Sequence, residues 1–256
     1  MKQQMWFYFM FVVSVLFSVR VQAQGPDRLP VPSFPEERRE GIPASSGKEA
    51  EIADSLLADN VLLFCGQQVN LDPAYRQRRL RRELVSLSRL SVGLMERANY
   101  FFPLVEPLLK AHGIPDDFKY LMVVESGMNP SARSPVGALG LWQFMKGTAQ
   151  DYGLQVDGRR DERLDVEKST VAACRYLKEA YSRFHDWVAV AQSYNIGQYR
   201  IDAELRRQRV DESIDLQLVE ETNRYIYRIL AVKILFTHPS NFGLKESMLY
   251  YRKIRR

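Results

Sequence analysis

Pro115-Asp116-Asp117-Phe118-Lys119-Tyr120-Leu121-Met122-Val123-Val124-Glu125-Ser126 shows the helical character of this chain most clearly. Proline suits a first helical turn because its missing N–H would go unpaired there, and the two acids complement the positive end of a helix. An apolar stripe at offsets of three, four and seven then runs through Phe118, Leu121, Met122 and Glu125. The stretch predicts a buried helix that carries a glutamate on its apolar face.

Glu125 is out of place on such a stripe. Glutamate is rarely buried without a partner, so this carboxyl either faces a cleft or is paired. An exposed glutamate at a helix end is the alternative interpretation. Desolvation by the apolar wall would raise the carboxyl pKa above its ordinary value of about 4.3. A carboxylic acid that stays protonated near neutral pH can act as a general acid, so Glu125 is a candidate catalytic residue.

A loop rich in small residues follows this helix over residues 131–140 and leads into Leu141-Trp142-Gln143-Phe144-Met145. Glycines in such a loop let the backbone approach a ligand closely. The aromatic and polar groups after it suit the apolar face and the hydroxyl or amide groups of a sugar. Trp142 and Phe144 could equally be core residues, and for Phe144 the core interpretation is preferred.

The rest of the chain is expected to be all-α and compact. From about Glu49 onward the periodicity is helical almost throughout, without alternating strand runs or an internal repeat. A long amphipathic stretch covers about 73–99, and Pro103 is expected to begin the next helix, which ends near Gly113. Further helices are predicted at about 140–151, 166–184, 187–195 and 220–237.

The N-terminus predicts export. An apolar run over residues 6–17 follows Lys2 and is shorter than the roughly 20 residues that span a bilayer. It ends in Val21-Gln22-Ala23, which a signal peptidase would accept, so cleavage after Ala23 is expected, with an uncleaved anchor as the alternative. No cysteine lies near the cut, so a lipid anchor is not expected. Five prolines over residues 24–46 predict a linker without a core.

Charge and composition exclude several classes of protein. Apolar residues make up 46% and charged residues 26%, which is ordinary for a globular protein and not for a disordered or polytopic one. The formal charge is +5, and the segment 1–23 accounts for two of these charges. Basic residues gather at 76–82 and 251–256, and a solvated helix face is preferred over peripheral association with an anionic envelope surface. Nucleic acid is not an expected partner of an exported protein.

No metal site is expected from the cysteines or histidines. Cys65 and Cys174 could be bridged in an oxidising compartment, although Cys174 falls on an apolar helix face where a free thiol is more common. The spacing of the three histidines does not suit a metal ion: His112, His185 and His238.

Four short blocks, in order along the chain, resemble the signature of the soluble-lytic-transglycosylase-like domain. They are Glu125-Ser126, Gly140-Leu141-Trp142-Gln143, Ser193-Tyr194-Asn195 and Glu221-Thr222-Asn223-Arg224-Tyr225. The amino-acid sequence at 134–138 and 142–145 is most similar to that of the membrane-bound murein transglycosylase D branch. One block alone would be weak, whereas four in order over about residues 70–240 are a strong signal.

The resemblance implies a lysozyme-like fold and a role for each matching residue. Glu125 matches the single catalytic acid/base. The other matches are expected to bind substrate or to support the carboxyl: Ser134 near the scissile bond, Gln143 lining the cleft, Tyr194 and Asn195 bracing the sugar and its acetamido group, Tyr225 facing the carboxyl, and Glu221 beside the cleft. The implied organisation is signal peptide 1–23, proline-rich linker 24–46, N-terminal helical region 47–112, catalytic domain 113–240 and basic tail 241–256.

The implied activity is non-hydrolytic cleavage of peptidoglycan strands in the periplasm or cell envelope, giving 1,6-anhydro-N-acetylmuramic acid ends. Ordinary glycosidases use two carboxylates, but no second acid stands in motif context beside Glu125, which favours assistance by the substrate's own acetamido group. No metal or organic cofactor is required. A lysozyme-like hydrolase and a non-catalytic envelope protein that binds peptidoglycan remain the alternatives.

The sequence departs from the family pattern at four positions. Ser193 stands where alanine is usual and Trp142 where methionine is common, while Lys146 and Gly158 replace a frequent proline and glutamate. None of these is a proposed catalytic group, so they bear on subsite preference more than on activity. The glycan-binding repeats that follow the domain in the named branch are not expected here.

Overall fold

The computed structural model describes residues 55, 57, 60–88 and 91–245, so the predicted signal peptide, the linker and most of the basic tail lie outside the described residues. Within them, one β-hairpin precedes a set of helices. The elements are β1 Val61–Phe64, β2 Gln67–Asn70, α1 Ala74–Ser88, α2 Ser91–Ala111, α3 Phe118–Ser126, α4 Lys146–Asp151, α5 Val166–Phe184, α6 Trp187–Ile196, α7 Gln198–Gln208 and α8 Glu220–Thr237. The predicted all-α class is confirmed, with the hairpin as an addition.

The hairpin contradicts the prediction that the chain after Glu49 has no strands. β1 and β2 pair antiparallel, with Val61 opposite Asn70. The two turn residues are Cys65 at φ 54° and Gly66 at φ 80°. Positive φ at both central positions is typical of the turns that join two-residue hairpins. The prediction was wrong because four-residue strands carry little periodicity and Cys-Gly is not a common turn signal.

The predicted helix start at Pro103 is also wrong. Pro103 and Pro107 both lie inside α2, which begins at Ser91. Proline inside a helix removes a hydrogen bond and is unfavourable locally. Packing outweighs that local cost, because α2 completely buries apolar side chains on both sides of Pro103: Phe101, Phe102, Val105 and Leu109.

Two other helix predictions need correction. The helix expected over 140–151 begins only at Lys146; residues 140–143 form a turn, and Phe144 pairs with Leu139 in an isolated antiparallel bridge. α7 was not predicted. It follows Gly197, whose φ is 91°, and it buries a single apolar side chain, Ile201, so it has no apolar stripe to reveal it.

The main hydrophobic core includes residues from Leu57 to Leu244, and a second, smaller cluster contains Ala189, Ile201 of α7 and Leu216. α1, α3 and α6 pack against α8, and α2 and α6 pack against α5. Phe102 of α2 and Tyr120 of α3 meet Phe236 of α8 with ring centroids 5.1 Å and 5.9 Å away, respectively. The helices on both sides of the predicted boundary at residues 112/113 therefore share a core, and that boundary stays a prediction.

Ion pairs attach α1 to the rest of the fold. Arg76 is 2% exposed and pairs with Glu212 at 2.7 Å and with Asp215 at 2.6 Å. Glu83 pairs with Arg224 of α8 at 2.7 Å. The basic segment 76–82 is thus partly a structural anchor and not only a solvated face. Over the described residues, no helix combines the length and apolar character needed to cross a membrane.

Both cysteines are free thiols. Cys65 in the hairpin turn is half-buried and Cys174 of α5 is buried, so the bridge that the sequence left open is not formed. Burial raises the pKa of the Cys65 thiol and raises that of Cys174 to about 12. Such thiols are poor nucleophiles because the thiolate is the reactive form.

Candidate active site

Glu125 occupies the last turn of α3. The helix ends at Gly127, which has a left-handed φ of 57° and donates its N–H to the Val123 carbonyl at 2.8 Å. The predicted stripe is present, since Phe118, Leu121 and Met122 have no exposed surface. Glu125 itself is half-buried, so the stripe brings its carboxyl to the edge of the core.

Tyr225 of α8 lies against this carboxyl. Its hydroxyl donates a hydrogen bond to Glu125 Oε1, and the Tyr225 side chain is 2% exposed. The contact joins the first and the fourth sequence blocks across the packed helices. The facing pair that the family resemblance implied is therefore present in the structure.

The surroundings of Glu125 raise its pKa to about 7. Desolvation by the protein is the main cause. The Tyr225 hydrogen bond and the positive charge of Arg228 both favour the carboxylate and limit the rise. A group with a pKa near 7 is partly protonated at neutral pH and can both donate and accept a proton.

Tyr194 and Asn195 are held at the end of α6. The Tyr194 hydroxyl donates to the Trp142 carbonyl at 2.9 Å, and its ring meets Tyr176 at a centroid distance of 5.1 Å. Burial raises the pKa of Tyr194, and the negative charge of Glu125 raises it further. Asn195 Oδ1 accepts a 2.7 Å hydrogen bond from Thr222, one turn before Tyr225. The third block thus lies between the second and the fourth.

Ser134 and Gln143 shape the loop between α3 and α4. Ser134 Oγ accepts the Ala138 N–H at 2.9 Å. Gln143 has a left-handed φ of 49°, and its Nε2 donates to the carbonyls of Ala132 at 2.9 Å and Gly140 at 2.8 Å. A non-glycine residue in this conformation is uncommon and is often found at functional sites. Both predicted residues therefore have an internal structural role in this loop.

Arg163 fixes the same loop and was not singled out from the sequence. Its Nη1 donates to the Gly137 carbonyl at 2.9 Å and to the Phe144 carbonyl at 3.1 Å, while Asp161 pairs with its Nη2 at 2.7 Å. At Gly140 the φ is 83°, and an added Cβ would lie 2.0 Å from the Arg163 carbonyl oxygen. Only glycine fits there. The motif glycine was visible in the sequence, but its partner, 23 positions later, was not.

Arg228 is the second residue that the sequence did not reveal. It contacts Glu221 and lies 3.4 Å from Glu83 of α1. Glu221, expected beside the cleft, is therefore an ion-pair partner of Arg228. Glu221 lies seven residues before Arg228 on α8, a spacing that puts both on one helix face, but the sequence did not indicate that they form an ion pair.

Trp142 is a core residue. It has no exposed surface, and its indole N–H donates to Thr170 Oγ1 at 2.9 Å. Phe144 is 3% exposed. Of the two interpretations of this aromatic segment, packing is the one that the structure supports, and neither ring is open for stacking on a sugar.

The ionisable groups of the described chain do not assemble a metal centre. No cluster of three or more histidine, cysteine or acidic side chains there could hold an ion. His112 bonds the Leu108 carbonyl at 2.9 Å, and His185 and His238 are exposed.

Comparison with known proteins finds a family model that matches the central part of the chain. Residues 106–216 match the family model described as transglycosylase SLT domain. Membrane-bound lytic murein transglycosylase D of Escherichia coli is 29% identical over 154 residues, which cover 58% of this chain and 34% of that protein. Membrane-bound lytic murein transglycosylase F of Shewanella frigidimarina is 40% identical over 80 residues, covering 28% of this chain and 16% of that one. The chain thus spans about a third or less of the length of these relatives.

A solved structure supports the fold. The 70-kDa soluble lytic transglycosylase in complex with bulgecin A has a TM-score of 0.50 and 19% identity, covering 86% of this chain and 40% of that one. At this identity the likeness shows the fold alone. The predicted resemblance to a soluble-lytic-transglycosylase-like domain is confirmed by the family match together with these relatives.

Proposed function

We propose that this chain, whose residues 106–216 match the transglycosylase SLT domain model, is a peptidoglycan lytic transglycosylase. It would cleave the β-1,4 bond between N-acetylmuramic acid and N-acetylglucosamine without water. The names of its relatives support the substrate class. The observation that carries the proposal is Glu125, a half-buried carboxyl with a pKa of about 7 that is bonded by Tyr225.

The first step uses Glu125 as an acid. The protonated carboxyl would donate its proton to the glycosidic oxygen, which leaves as the 4-hydroxyl of N-acetylglucosamine when the bond to the muramyl C1 breaks. The acetamido oxygen of the muramyl residue would then bond to C1 and carry the positive charge. Tyr225 would stabilise the carboxylate that remains, because its hydroxyl already donates to Glu125 Oε1.

The second step uses the same group as a base. Glu125 would take the proton of the muramyl 6-hydroxyl while O6 bonds to C1 and displaces the acetamido oxygen. The carboxyl is then protonated as at the start, and the product carries a 1,6-anhydro ring. No second carboxylate is needed, and none of those in the described residues shifts the pKa of Glu125.

The remaining predicted residues would hold the glycan. Tyr194 is held by the Trp142 carbonyl and Asn195 by Thr222, and both would brace the muramyl sugar. Ser134 and Gln143 would hold the loop after α3 in a shape that contacts the glycan strand. Glu221 would act beside the cleft through Arg228.

The proposed location is the cell envelope. The relatives are named as membrane-bound murein enzymes, and peptidoglycan lies outside the cytoplasmic membrane. Export by the segment 1–23, with cleavage after Ala23, fits this location. Edman sequencing or mass spectrometry of the protein recovered from the periplasm tests it, and a mature N-terminus at Gln24 is the expected result.

Digestion of purified sacculi tests the activity. Muropeptides whose mass is one water lower than that of the hydrolytic products are expected from the wild type, and Glu125→Gln should release almost none. General acid/base catalysis contributes typically 10²–10⁴-fold, which sets the expected loss. Products that retain the water would show a hydrolase, and no soluble product from the wild type would show a binding protein.

A further inference from the structure

Arg228 lies one turn after Tyr225 on α8, and carboxylates from two helices hold its guanidinium. It contacts Glu221 of its own helix, and its Nε lies 3.4 Å from Glu83 Oε2 of α1. Its side chain is 23% exposed. A planar guanidinium that is bonded on two sides has little freedom to swing into solvent, so it presents a charge at a fixed place.

The Arg228 guanidinium can be removed without leaving a buried charge unpaired. Glu83 is buried, with a side chain 4% exposed, and its second partner is Arg224, which bonds it at 2.7 Å and 3.2 Å. Glu221 is 28% exposed and can be solvated. The costly case of an uncompensated buried ion therefore does not arise when Arg228 is replaced.

We propose that Arg228 is a positioning residue of this site: held by Glu221 and Glu83, it keeps a fixed positive charge beside the Glu125–Tyr225 pair. The inference rests on the proposed function, since it concerns the group that would start the reaction. It assigns a role to a residue outside the four motif blocks.

The groups that interact with Glu125 come from two helices. Tyr225 of α8 donates a hydrogen bond to it, and Arg228 of α8 is the cation that favours its ionised form. Burial raises the pKa of Tyr194 of α6, and the charge of Glu125 raises it further. Desolvation alone would raise the pKa of Glu125 further. Glu125 would then be fully protonated before the first step but a weaker proton donor in it, because the carboxylate that the step leaves behind would be less stable. Arg228 opposes desolvation, so that both proton transfers stay accessible near neutral pH.

A direct titration of the Glu125 carboxyl tests this role. The 13C carboxyl signal, assigned by its loss in Glu125→Gln, is followed against pH in the wild type and in Arg228→Met, Arg228→Gln and Arg228→Lys. Both neutral replacements should raise the pKa of Glu125 by roughly half a unit to one unit, and lysine should restore it. The alkaline limb of the pH–activity profile should move upward by the same amount.

Arg224→Met is the matched control. Arg224 shares the helix and the Glu83 partner of Arg228, but it is absent from the groups that act on Glu125. It should leave the Glu125 titration unchanged. Wild-type titration in both neutral Arg228 variants, or an equal shift in Arg224→Met, would overturn the proposal. The titration needs no turnover, so a shifted pKa in a protein that makes no anhydro product would reject the proposed function and retain the role of Arg228.

Discussion

The Tyr225 hydroxyl donates to Glu125 Oε1, joining two helices whose contact residues are 100 positions apart in the chain. The bond favours the carboxylate, whereas burial favours the neutral acid. The two effects oppose one another and leave the pKa of Glu125 at about 7. This balance matters because the proposed reaction needs the same group as an acid and then as a base.

The first prediction concerns the cost of keeping Glu125 at this position. The pKa of Glu125 is raised above the ordinary value, so the fold favours the protonated carboxyl. The stability that this preference contributes is fully present below the unfolded pKa and is lost as the pH rises through about 7. Glu125→Gln removes the titration. We expect the variant to be more stable than the wild type by about 1–3 kcal/mol at pH 8 and equally stable near pH 4, as measured by urea unfolding. Equal stability at both values would contradict the raised pKa.

The second prediction concerns Tyr225→Phe. Loss of the hydroxyl removes a hydrogen bond that stabilises the carboxylate, so the pKa of Glu125 should rise further. The alkaline limb of the activity profile should move to higher pH, and the maximal rate should fall about tenfold, as expected when a charge-assisted bond is lost. Release of anhydro-muropeptides against pH measures both. Tyr227→Phe on the same helix is the control, because its buried hydroxyl has no hydrogen-bond partner among the described residues.

The parts of this site that could be predicted from the sequence are those whose pattern lies within a single helix or a short motif. The α3 stripe and the bounds of α5 and α8 followed from periodicity, because each of these helices packs a continuous apolar face. The roles assigned to Glu125 and its partners depended on the motif blocks. Periodicity alone would have left Glu125 as an unexplained glutamate.

The features that were not predicted from the sequence depend on tertiary contacts. Arg163 acts through carbonyls of a loop that precedes it by about 20 residues, and Arg228 through a carboxylate on α1. Neither pattern is visible along a single element. The β-hairpin and the prolines inside α2 were missed for a related reason, since turn geometry and packing overrode the local preferences.

The third prediction concerns Gly140→Ala. The new Cβ would lie 2.0 Å from the Arg163 carbonyl oxygen at a φ of 83°, so the loop that carries Ser134 and Gln143 must move. We expect a large loss of activity and a lower unfolding temperature. Gly147→Ala is the control, because nothing lies within 4 Å of its added Cβ. Two variants of equal activity and melting temperature would show that the close contact is not needed.

The last prediction separates binding from chemistry at Asn195. Thr222 has no exposed surface, and its Oγ1 donates to Asn195 Oδ1 at 2.7 Å, so the hydroxyl fixes the amide that would face the acetamido group. Thr222→Val keeps the shape of the side chain and removes only this donor. Loss of the bond should leave the Glu125 pKa unchanged and let the amide turn, which would raise KM for a defined glycan oligomer several-fold with little change in kcat. Thr222→Ser retains the hydroxyl and should bind as the wild type does. If Thr222→Val instead lowered kcat at unchanged KM, Asn195 would act in the transition state and not in substrate binding, because only an interaction made there changes kcat alone.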